Sequence, residues 1–440
     1  MPSVAHPVDV GPPTLSTHRH LRLLTLCALY VAQGIPWGFV AITLAALLAD
    51  RGLGPGEIGG LLALSVLPWT FKWVWGPVID RFGFAPMGRR RPWILLAQLL
   101  MALTIGAMIA VPDLTSLSRG VTLLAWMVFV HNCFSSLQDV AVDALAVDLL
   151  GDDERGLANG LMFGSKYLGG AIGGAGMATV VAHFGLRPAL FLQVGALLAI
   201  MMLPLLLRER PGERLFPWSS GAAAPATSAR AASSLISLFR DLGRAFSLRT
   251  TVFAAALALC AQIGAGVLAA VVSVYLIKHL GWRPESYAQI IGGPALIIGL
   301  SGSVLGGWLA DRFGHKRMIA LSAGGLGVVW FVFAAVEPWW VDDRVPTALL
   351  LIEPLLQSLA TVSLFALFMD ISWPRVAATQ FTAYMACLNL SSAMGNWLAG
   401  ALDQRLSVAA IFVVAGLIQL GVVALLLGID PQQARRRFRA

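Results

Sequence analysis

A short polar motif occurs twice in this chain, about half a chain apart. Asp80-Arg81-Phe82-Gly83 precedes the basic residues at 89–91, and Asp311-Arg312-Phe313-Gly314 precedes His315-Lys316-Arg317. Each copy follows one long apolar stretch and comes shortly before the next. A repeat at this distance in an apolar chain indicates two similar membrane-embedded halves, an arrangement in which the halves usually move about a central site.

Twelve apolar stretches are long enough to cross the roughly 30 Å hydrocarbon core of a bilayer as helices. Hydrophobic residues make up 58% of the chain and charged residues 12%, a much lower charged fraction than soluble domains have. Apolar runs of this length fit helices rather than the short alternating strands of membrane barrels. We therefore predict an all-α membrane protein of twelve transmembrane helices in two pseudo-symmetric six-helix bundles, with spans near 21–48, 57–79, 93–111, 119–147, 156–182, 188–207, 249–277, 284–309, 317–336, 346–369, 376–401 and 407–428.

One long polar break separates six apolar stretches from the next six. Within it, Pro, Ser and Ala dominate residues 217–234, a composition typical of a flexible linker. Residues 234–246 place leucine and phenylalanine on one helical face, which predicts an amphipathic helix on the membrane surface. The expected divisions are an N-terminal tail 1–20, a first bundle 21–207, a linker 208–248, a second bundle 249–428 and a basic tail 429–440.

Basic residues are distributed unevenly between the two sides of the predicted bundle. Most of the 31 Lys and Arg residues lie on the side that would hold both termini. Because basic loops mark the cytoplasmic side, we predict cytoplasmic termini in a bacterial inner (plasma) membrane. The net charge of +8 then faces anionic lipid, so nucleic-acid binding is not expected. The expected partners are the bilayer, a small-molecule solute and protons, and the chain is expected to act as a monomer.

The four cysteines lie inside predicted helices and lack metal-ligand spacing. Buried, small apolar side chains are the simplest interpretation of such cysteines. We therefore expect neither a metal nor a cofactor.

Ionisable side chains within the predicted spans are costly in lipid, and they indicate either pairing or function. Asp139 and Asp143 lie four residues apart, on one face of the fourth predicted helix. Lys166 lies roughly 15 Å into the fifth, within reach of either acid. Alternative roles are a static ion pair for Asp139 and, for Asp143, pairing with Arg81 or Arg89. The candidate proton-coupling residues are Asp139, Asp143, Lys166 and Glu353.

A second set of polar and aromatic side chains is placed to line a central cavity. The first predicted helix is interrupted at Gly34-Ile35-Pro36-Trp37-Gly38, which frees backbone groups within the span. Asn389 and Asn396 lie seven residues apart and therefore share one face of the eleventh predicted helix. Hydrogen bonding between helices is the alternative role for the members of this set. The candidate solute contacts are Gln33, Trp37, Lys72, Gln138, Gln262, Asn389 and Asn396.

The helix count, the duplication and the repeated motif resemble the major facilitator superfamily. In that family a loop with Gly, an Asp-Arg pair, Gly and basic residues joins helices 2 and 3, and both halves here contain it. We expect the arginines to pair with acids at the inner helix ends, such as Asp148 or Glu154. A role only in membrane orientation is the alternative. The resemblance implies gating by Asp80, Arg81, Arg89, Asp311, Arg312 and Arg317.

Other segments resemble a narrower group, the peptide–acetyl-coenzyme A–drug transporter family, which includes AmpG-type muropeptide permeases. They include 33–36, 71–80, 88–93 and 138–144. The resemblance implies a secondary active transporter that works by alternating access and imports a muropeptide with a proton. This chain is similar to a divergent member, since it lacks charged residues that the group tends to carry, at Ala146, Gln262, Ala265 and Asn396.

The sequence therefore predicts proton-coupled import of a muropeptide-like or other amphiphilic solute. A carrier of acyl-coenzyme A, drugs or sugars with the same fold is one alternative, and a membrane sensor without transport is another. The sequence contains no nucleophile elbow, metal-binding His pair or phosphate loop, so an enzyme is not expected.

Overall fold

The computed structural model describes residues 13–111, 119–151, 154–224, 235–373 and 376–437. Ten helices in this part of the chain are long and apolar enough to cross a membrane. Two more have the required length and a lower hydropathy. The helices are α1 Arg19–Asp50, α2 Pro55–Ile79, α3 Arg91–Ala110, α4 Gly120–Leu149, α5 155–184, α6 Leu186–Leu206, α7 Arg249–His279, α8 Pro284–Phe313, α9 His315–Ala335, α10 Arg344–Ile371, α11 Ala377–Asp403 and α12 Val408–Gly428.

The two less apolar helices are α5 and α11, which contain glycines and polar side chains. Lys166 interrupts α5, whereas Gln380, Asn389 and Asn396 interrupt α11. Gln380 and Asn396 are buried against other helices, so these polar groups are shielded from lipid. The predicted twelve-helix architecture is confirmed, and the helix ends lie within about one turn of the predicted ones.

The two halves repeat one packing pattern. In the first half α1 packs against α5, α2 against α4, and α3 against both α4 and α6. In the second half α7 packs against α11, α8 against α10, and α9 against both α10 and α12. Each contact of the first half therefore recurs six helices later, as expected of two pseudo-symmetric bundles.

The halves meet through α2 on α11 and through α5 on α8. We call the end of the bundle that holds the first and last described residues the termini end, and the opposite end the far end. Near the far end Gly56 faces Gly400, and a Cβ at Gly59 would collide with the backbone oxygen of Asn396. Lys278 Nζ also donates to the carbonyl oxygen of Gly52 at 2.8 Å. The described conformation therefore closes the far end by direct contact between backbones.

A folded segment after α6 covers the termini end of the first half. Residue 14 pairs with residue 208 in a parallel bridge, in which Leu15 N donates to Arg208 O at 2.9 Å. The Arg91 guanidinium, buried at the start of α3, donates to the carbonyl oxygens of Pro204, Leu205, Arg214 and Leu215. The Arg91 cation thus donates hydrogen bonds to the last carbonyl groups of α6, which have no partner within the helix. A positive charge is favourable there because it interacts with the negative end of the helix dipole.

The polar break contains more ordered structure than its composition indicates. Ser219 forms side-chain hydrogen bonds with the backbone of residues 215 and 216, and Arg214 donates to the carbonyl oxygens of Pro217 and Gly221. Residues 217–220 therefore form a turn and a bend, and residues 221–224 are irregular. The rest of the expected flexible stretch, 225–234, lies outside the described residues.

An amphipathic helix follows at Leu235–Phe246, where the sequence predicts one. It packs against α7 and α11 of the second half. Ala245 is buried there, and the Phe246 ring lies 6.2 Å from the Tyr384 ring, centroid to centroid. The side chains of residues 235–239 lie outside the described part, so its membrane-surface role stays a prediction.

We expect Arg91→Ala to destabilise the protein by about 3 kcal/mol, because it leaves several buried carbonyls without a donor. Lysine cannot reproduce the planar fork of donors, so Arg91→Lys is expected to be intermediate. Thermal unfolding in detergent measures both, and Arg81→Ala, at an exposed position, is the control. An Arg91→Ala protein as stable as this control would contradict the structural role.

We expect Gly59→Leu to hold the far end open, because its side chain cannot fit against the α11 backbone. Spin labels on cysteines placed at Arg51 and Gln404, after replacement of the native cysteines, report the far-end separation. The main distance should lengthen relative to the parent protein. Gly106→Leu is the control, since nothing lies within 4 Å of a Cβ at that position. An unchanged distance distribution in Gly59→Leu would refute far-end closure through this contact.

Candidate functional site

The first half contains a cluster of ionisable side chains supplied by four helices. In α2, the α-helical part ends at Thr70, a 3₁₀ turn covers Lys72–Val74, and the α-helix resumes at Trp75. Pro68 accompanies this break, since proline removes a helix hydrogen bond. The turn presents Lys72 to α4, where its Nζ lies 3.1 Å from Asp139 Oδ2. Their side chains are 22% and 6% exposed, so the ion pair is largely withdrawn from solvent.

The second acid of α4 has a different partner. Tyr30 Oη, from α1, donates to Asp143 Oδ1 at 2.5 Å. Lys166 of α5 lies close enough to Asp139 and Asp143 to interact with both electrostatically. The Lys166 pairing that the sequence left open is therefore a longer-range interaction, and Lys72 makes the ion pair instead. Asp143 bonds to Tyr30 in this conformation, rather than to Arg81 or Arg89.

The corresponding region of the second half contains neutral groups. Gln262 lies at a break in α7, where its backbone N–H donates to Ser391 Oγ at 2.9 Å. Gln357 Nε2 donates to Gln262 Oε1 at 2.5 Å, and Gln262 Nε2 lies 3.4 Å from Thr361 Oγ1. This network of amides and hydroxyls can bind hydroxyl and amide groups of a solute without adding charge.

The asparagines of α11 both approach α2. Asn389 Nδ2 lies 3.4 Å from the carbonyl oxygen of Trp69, a contact between the two halves. Asn396 Nδ2 donates to the carbonyl oxygen of Ser392 in its own helix at 2.9 Å, and its buried Oδ1 has no partner among the residues that the structure describes. The Asn389 side chain therefore contacts the first half, whereas the approach of Asn396 to α2 is made by its backbone oxygen, which faces Gly59.

The remaining three candidates for solute contact have different surroundings. Gln33 is buried in α1, and neither of its side-chain polar atoms has a hydrogen-bond partner within the described part of the chain. Trp37 is 39% exposed and packs over Gly170. Gln138 is fully buried and donates to Gln98 of α3, inside the first bundle.

Glu353 belongs to the interior of the second bundle. The side chains that interact with it are Trp330 of α9 and Tyr287 of α8. Trp330 is itself completely buried and contacts Gly264 of α7. The structure therefore places Glu353 among α8, α9 and α10, apart from the acids of α4.

Residues 26–395 and 254–440 match the sequence profile of the Major Facilitator Superfamily. The chain belongs to this superfamily. It is a membrane transporter for small molecules and not an enzyme.

Relatives and a solved structure agree with this assignment. A Haemophilus influenzae protein is 28% identical over 45% of this chain and 46% of its own length, so the match spans about half of that protein. The anhydromuropeptide permease of Escherichia coli is 25% identical over 85% of this chain and 72% of the permease. The crystal structure of a D-xylose-proton symporter has a TM-score of 0.74 at 14% identity, covering 95% of this chain and 99% of the symporter. At that identity the structural match shows the fold alone.

In the first half, two ion pairs near the repeated motif involve arginines other than the expected gating residues Arg81 and Arg89. Arg90 Nε lies 2.9 Å from Asp148 Oδ2, and Arg22 lies 2.6 Å from Glu154. Arg89 is half-buried and Arg81 is exposed, with its guanidinium 5.9 Å from the Phe82 ring centroid. The side chain of Asp80 lies outside the described part of the structure. Asp148 thus pairs with an arginine of the loop, as expected, whereas Glu154 pairs with Arg19 and Arg22 of α1.

In the second half, the residue of the loop that contacts acidic side chains is a histidine. His315 Nδ1 lies 2.6 Å from Asp370 Oδ2, and its other ring nitrogen lies 3.7 Å from Asp311. Arg312 is exposed, with its guanidinium 5.6 Å from the ring centroid of Trp308. Arg317 is exposed as well. The ion pairs described here for this end therefore join helices of the same half.

Sequence reasoning missed two members of the polar network, Tyr30 and Gln357. Tyr30 lies three residues before Gln33, so helical spacing places both on one face of α1. Gln357 lies midway between Glu353 and Thr361, at intervals of four residues on α10. The helical spacing on α1 and on α10 was the available signal in the sequence. This signal is weak because hydroxyl and amide side chains also form ordinary hydrogen bonds between packed helices.

We expect Lys72→Met to destabilise the protein by about 3 kcal/mol, because it leaves the Asp139 carboxylate buried without its cation. Combining it with Asp139→Asn should recover most of that stability, since no unpaired charge then remains. Thermal unfolding of both single variants and the double variant measures the coupling. Additive losses in the double variant would contradict an energetic link between the two side chains.

Proposed function

We propose that this transporter carries a muropeptide-like or other amphiphilic solute into the cell together with a proton. The E. coli relative that aligns with 85% of this chain is named an anhydromuropeptide permease, which supports the solute class. The observation that carries the coupling proposal is the largely buried Lys72–Asp139 ion pair beside the Tyr30–Asp143 hydrogen bond.

Competition for Lys72 provides a route to coupling. A carboxylate of the solute that binds the Lys72 ammonium would displace Asp139 from its cation. An unpaired carboxylate in a poorly hydrated site takes up a proton rather than remain charged. Solute and proton would then bind together, and loss of the proton would restore the ion pair and expel the solute. Asp143, held by Tyr30, is the second acceptor in the same cluster.

The neutral side of the proposed site binds the uncharged part of the solute. Gln262 and Asn389 offer amide groups from the second half, whereas Gln33 and Trp37 extend the site on α1. Gln138 and Asn396 already bond within the protein and serve packing in this conformation. An amphiphile with an acidic end and a hydroxyl-rich or amide-rich end matches this site. Its acidic end would bind near Lys72, and its other end would bind near the neutral amide groups.

Alternating access follows from the contacts between the halves. With the termini in the cytoplasm, the far end faces outward, and the described conformation is the one closed to the outside. The paired loops at the termini end would then rearrange when the far end opens. Glu353, partly buried in the second bundle, is the candidate for a second proton-binding group.

Uptake of radiolabelled anhydromuropeptide into proteoliposomes tests the proposal. An inward proton gradient should raise the accumulated level severalfold over the level without a gradient. Asp139→Asn and Asp143→Asn should abolish this gradient-driven accumulation, while solute exchange at equal pH persists. The acid-to-amide changes preserve shape, and Asp342→Asn, in a loop outside the site, is the matched control.

Two results would overturn parts of this assignment. Gradient-driven uptake that survives both Asp139→Asn and Glu353→Gln contradicts the coupling residues. Stabilisation of the purified protein by acyl-coenzyme A, sugars or antibiotics, with no thermal shift from muropeptides, contradicts the solute class. The first result leaves the solute assignment intact, so the two failures are distinguishable.

A further inference from the structure

A cavity of about 590 Å³ lies outside the candidate solute site, between α2, α4 and α11. Small residues make it deep, including Gly56, Gly60, Ala125 and Ala393, and leucines of α2 and α11 form its walls. Trp397, which is 70% exposed, stands at its edge. We call this cavity the α2–α11 groove. Its volume is within the range of small-molecule binding sites.

The groove has the length of a single lipid leaflet. Its lining on α2 runs from Gly56, at the far end, to Leu67. Eleven residues of α-helix span about 16 Å, close to half of the roughly 30 Å hydrocarbon core. The three helices cross the membrane, so the groove opens toward acyl chains rather than toward water.

Charge at the mouth of the groove selects the headgroup. Among the described residues that line it, Glu57 is the one ionisable side chain. Its Oε2 accepts a hydrogen bond from Gly54 N at 2.6 Å, and its other oxygen has no partner among the described residues. An exposed carboxylate at the end of an apolar groove favours an ammonium group and disfavours an anionic one.

We propose that the α2–α11 groove binds one acyl chain of a phospholipid from the far-end leaflet, with an amine headgroup beside Glu57. The lining includes α2 and α4 of the first half and α11 of the second. Separation of the halves at the far end would dismantle the groove. The bound lipid therefore stabilises the conformation with the far end closed, by its differential affinity for that state.

Native mass spectrometry after reconstitution in equal amounts of phosphatidylethanolamine and phosphatidylglycerol, with identical acyl chains, tests the proposal. The parent protein should retain phosphatidylethanolamine in at least fivefold excess over phosphatidylglycerol. Gly60→Leu should remove the bound lipid, because its side chain enters the groove without meeting any atom within 4 Å of its Cβ. Gly195→Leu, at an equally open and exposed position on α6, should leave lipid binding unchanged.

The headgroup assignment is tested by Glu57→Gln, which keeps an acceptor for Gly54 N but removes the charge. This variant should retain the two lipids equally. Far-end spin labels should also show more of the closed state in phosphatidylethanolamine than in phosphatidylglycerol. Equal retention of both lipids by the parent protein, or an unchanged lipid complement in Gly60→Leu, overturns the proposal.

Discussion

Backbone packing between α1 and α5 is the contact on which the candidate site depends. A Cβ at Gly34 would collide with the carbonyl oxygen of Lys166, and one at Gly38 would collide with the backbone of Gly170. In lipid, where apolar burial does not drive helices together, small residues allow this approach and the dispersion contacts that come with it. The close crossing brings the α1 hydroxyl of Tyr30 and the α5 ammonium of Lys166 to the acids of α4.

The charges within the first half compensate one another. Two lysines, Lys72 and Lys166, accompany two aspartates, Asp139 and Asp143. An apolar pair of similar size would pack there at no greater cost in stability, so buried ion pairs of this kind are weak evidence for a stabilising role. Their position in a membrane transporter argues for a role in binding solute or protons instead. The second half keeps the same helix packing but supplies amides, so the two halves have diverged in chemistry while sharing a scaffold.

Periodicity explains how much of the molecule could be predicted from sequence. Length and hydropathy indicate twelve helices, and spacing by four places Asp139 and Asp143 on one face. Sequence does not give the rotation or depth of one helix relative to another. The partner of Asp139 was therefore left open, and the structure selects Lys72 because a 3₁₀ turn re-aims its side chain toward α4.

The loops show the same limit in another form. The repeated motif directs attention to Arg81 and Arg89, but the next two arginines also make buried contacts. Arg90 pairs with Asp148, and Arg91 binds the carbonyl groups at the end of α6. Residues 89–91 are all arginine, so the sequence does not distinguish their roles. The path of the backbone through the turn at Gly88, with φ of 101°, sets the direction in which each of these side chains points.

The break in α2 links the far-end contact to the charged cluster. Pro55–Thr70 carries the glycines that touch α11, and it spans about 24 Å as an α-helix. Beyond the 3₁₀ turn, Trp75 is fixed to α4 by its indole N–H, which donates to Ser136 Oγ at 3.0 Å. Short 3₁₀ segments within helices often mark hinges. A tilt of the far-end segment away from α11 would therefore pivot next to Lys72 and change its distance from Asp139, so one helix would connect opening of the far end to the state of the ion pair.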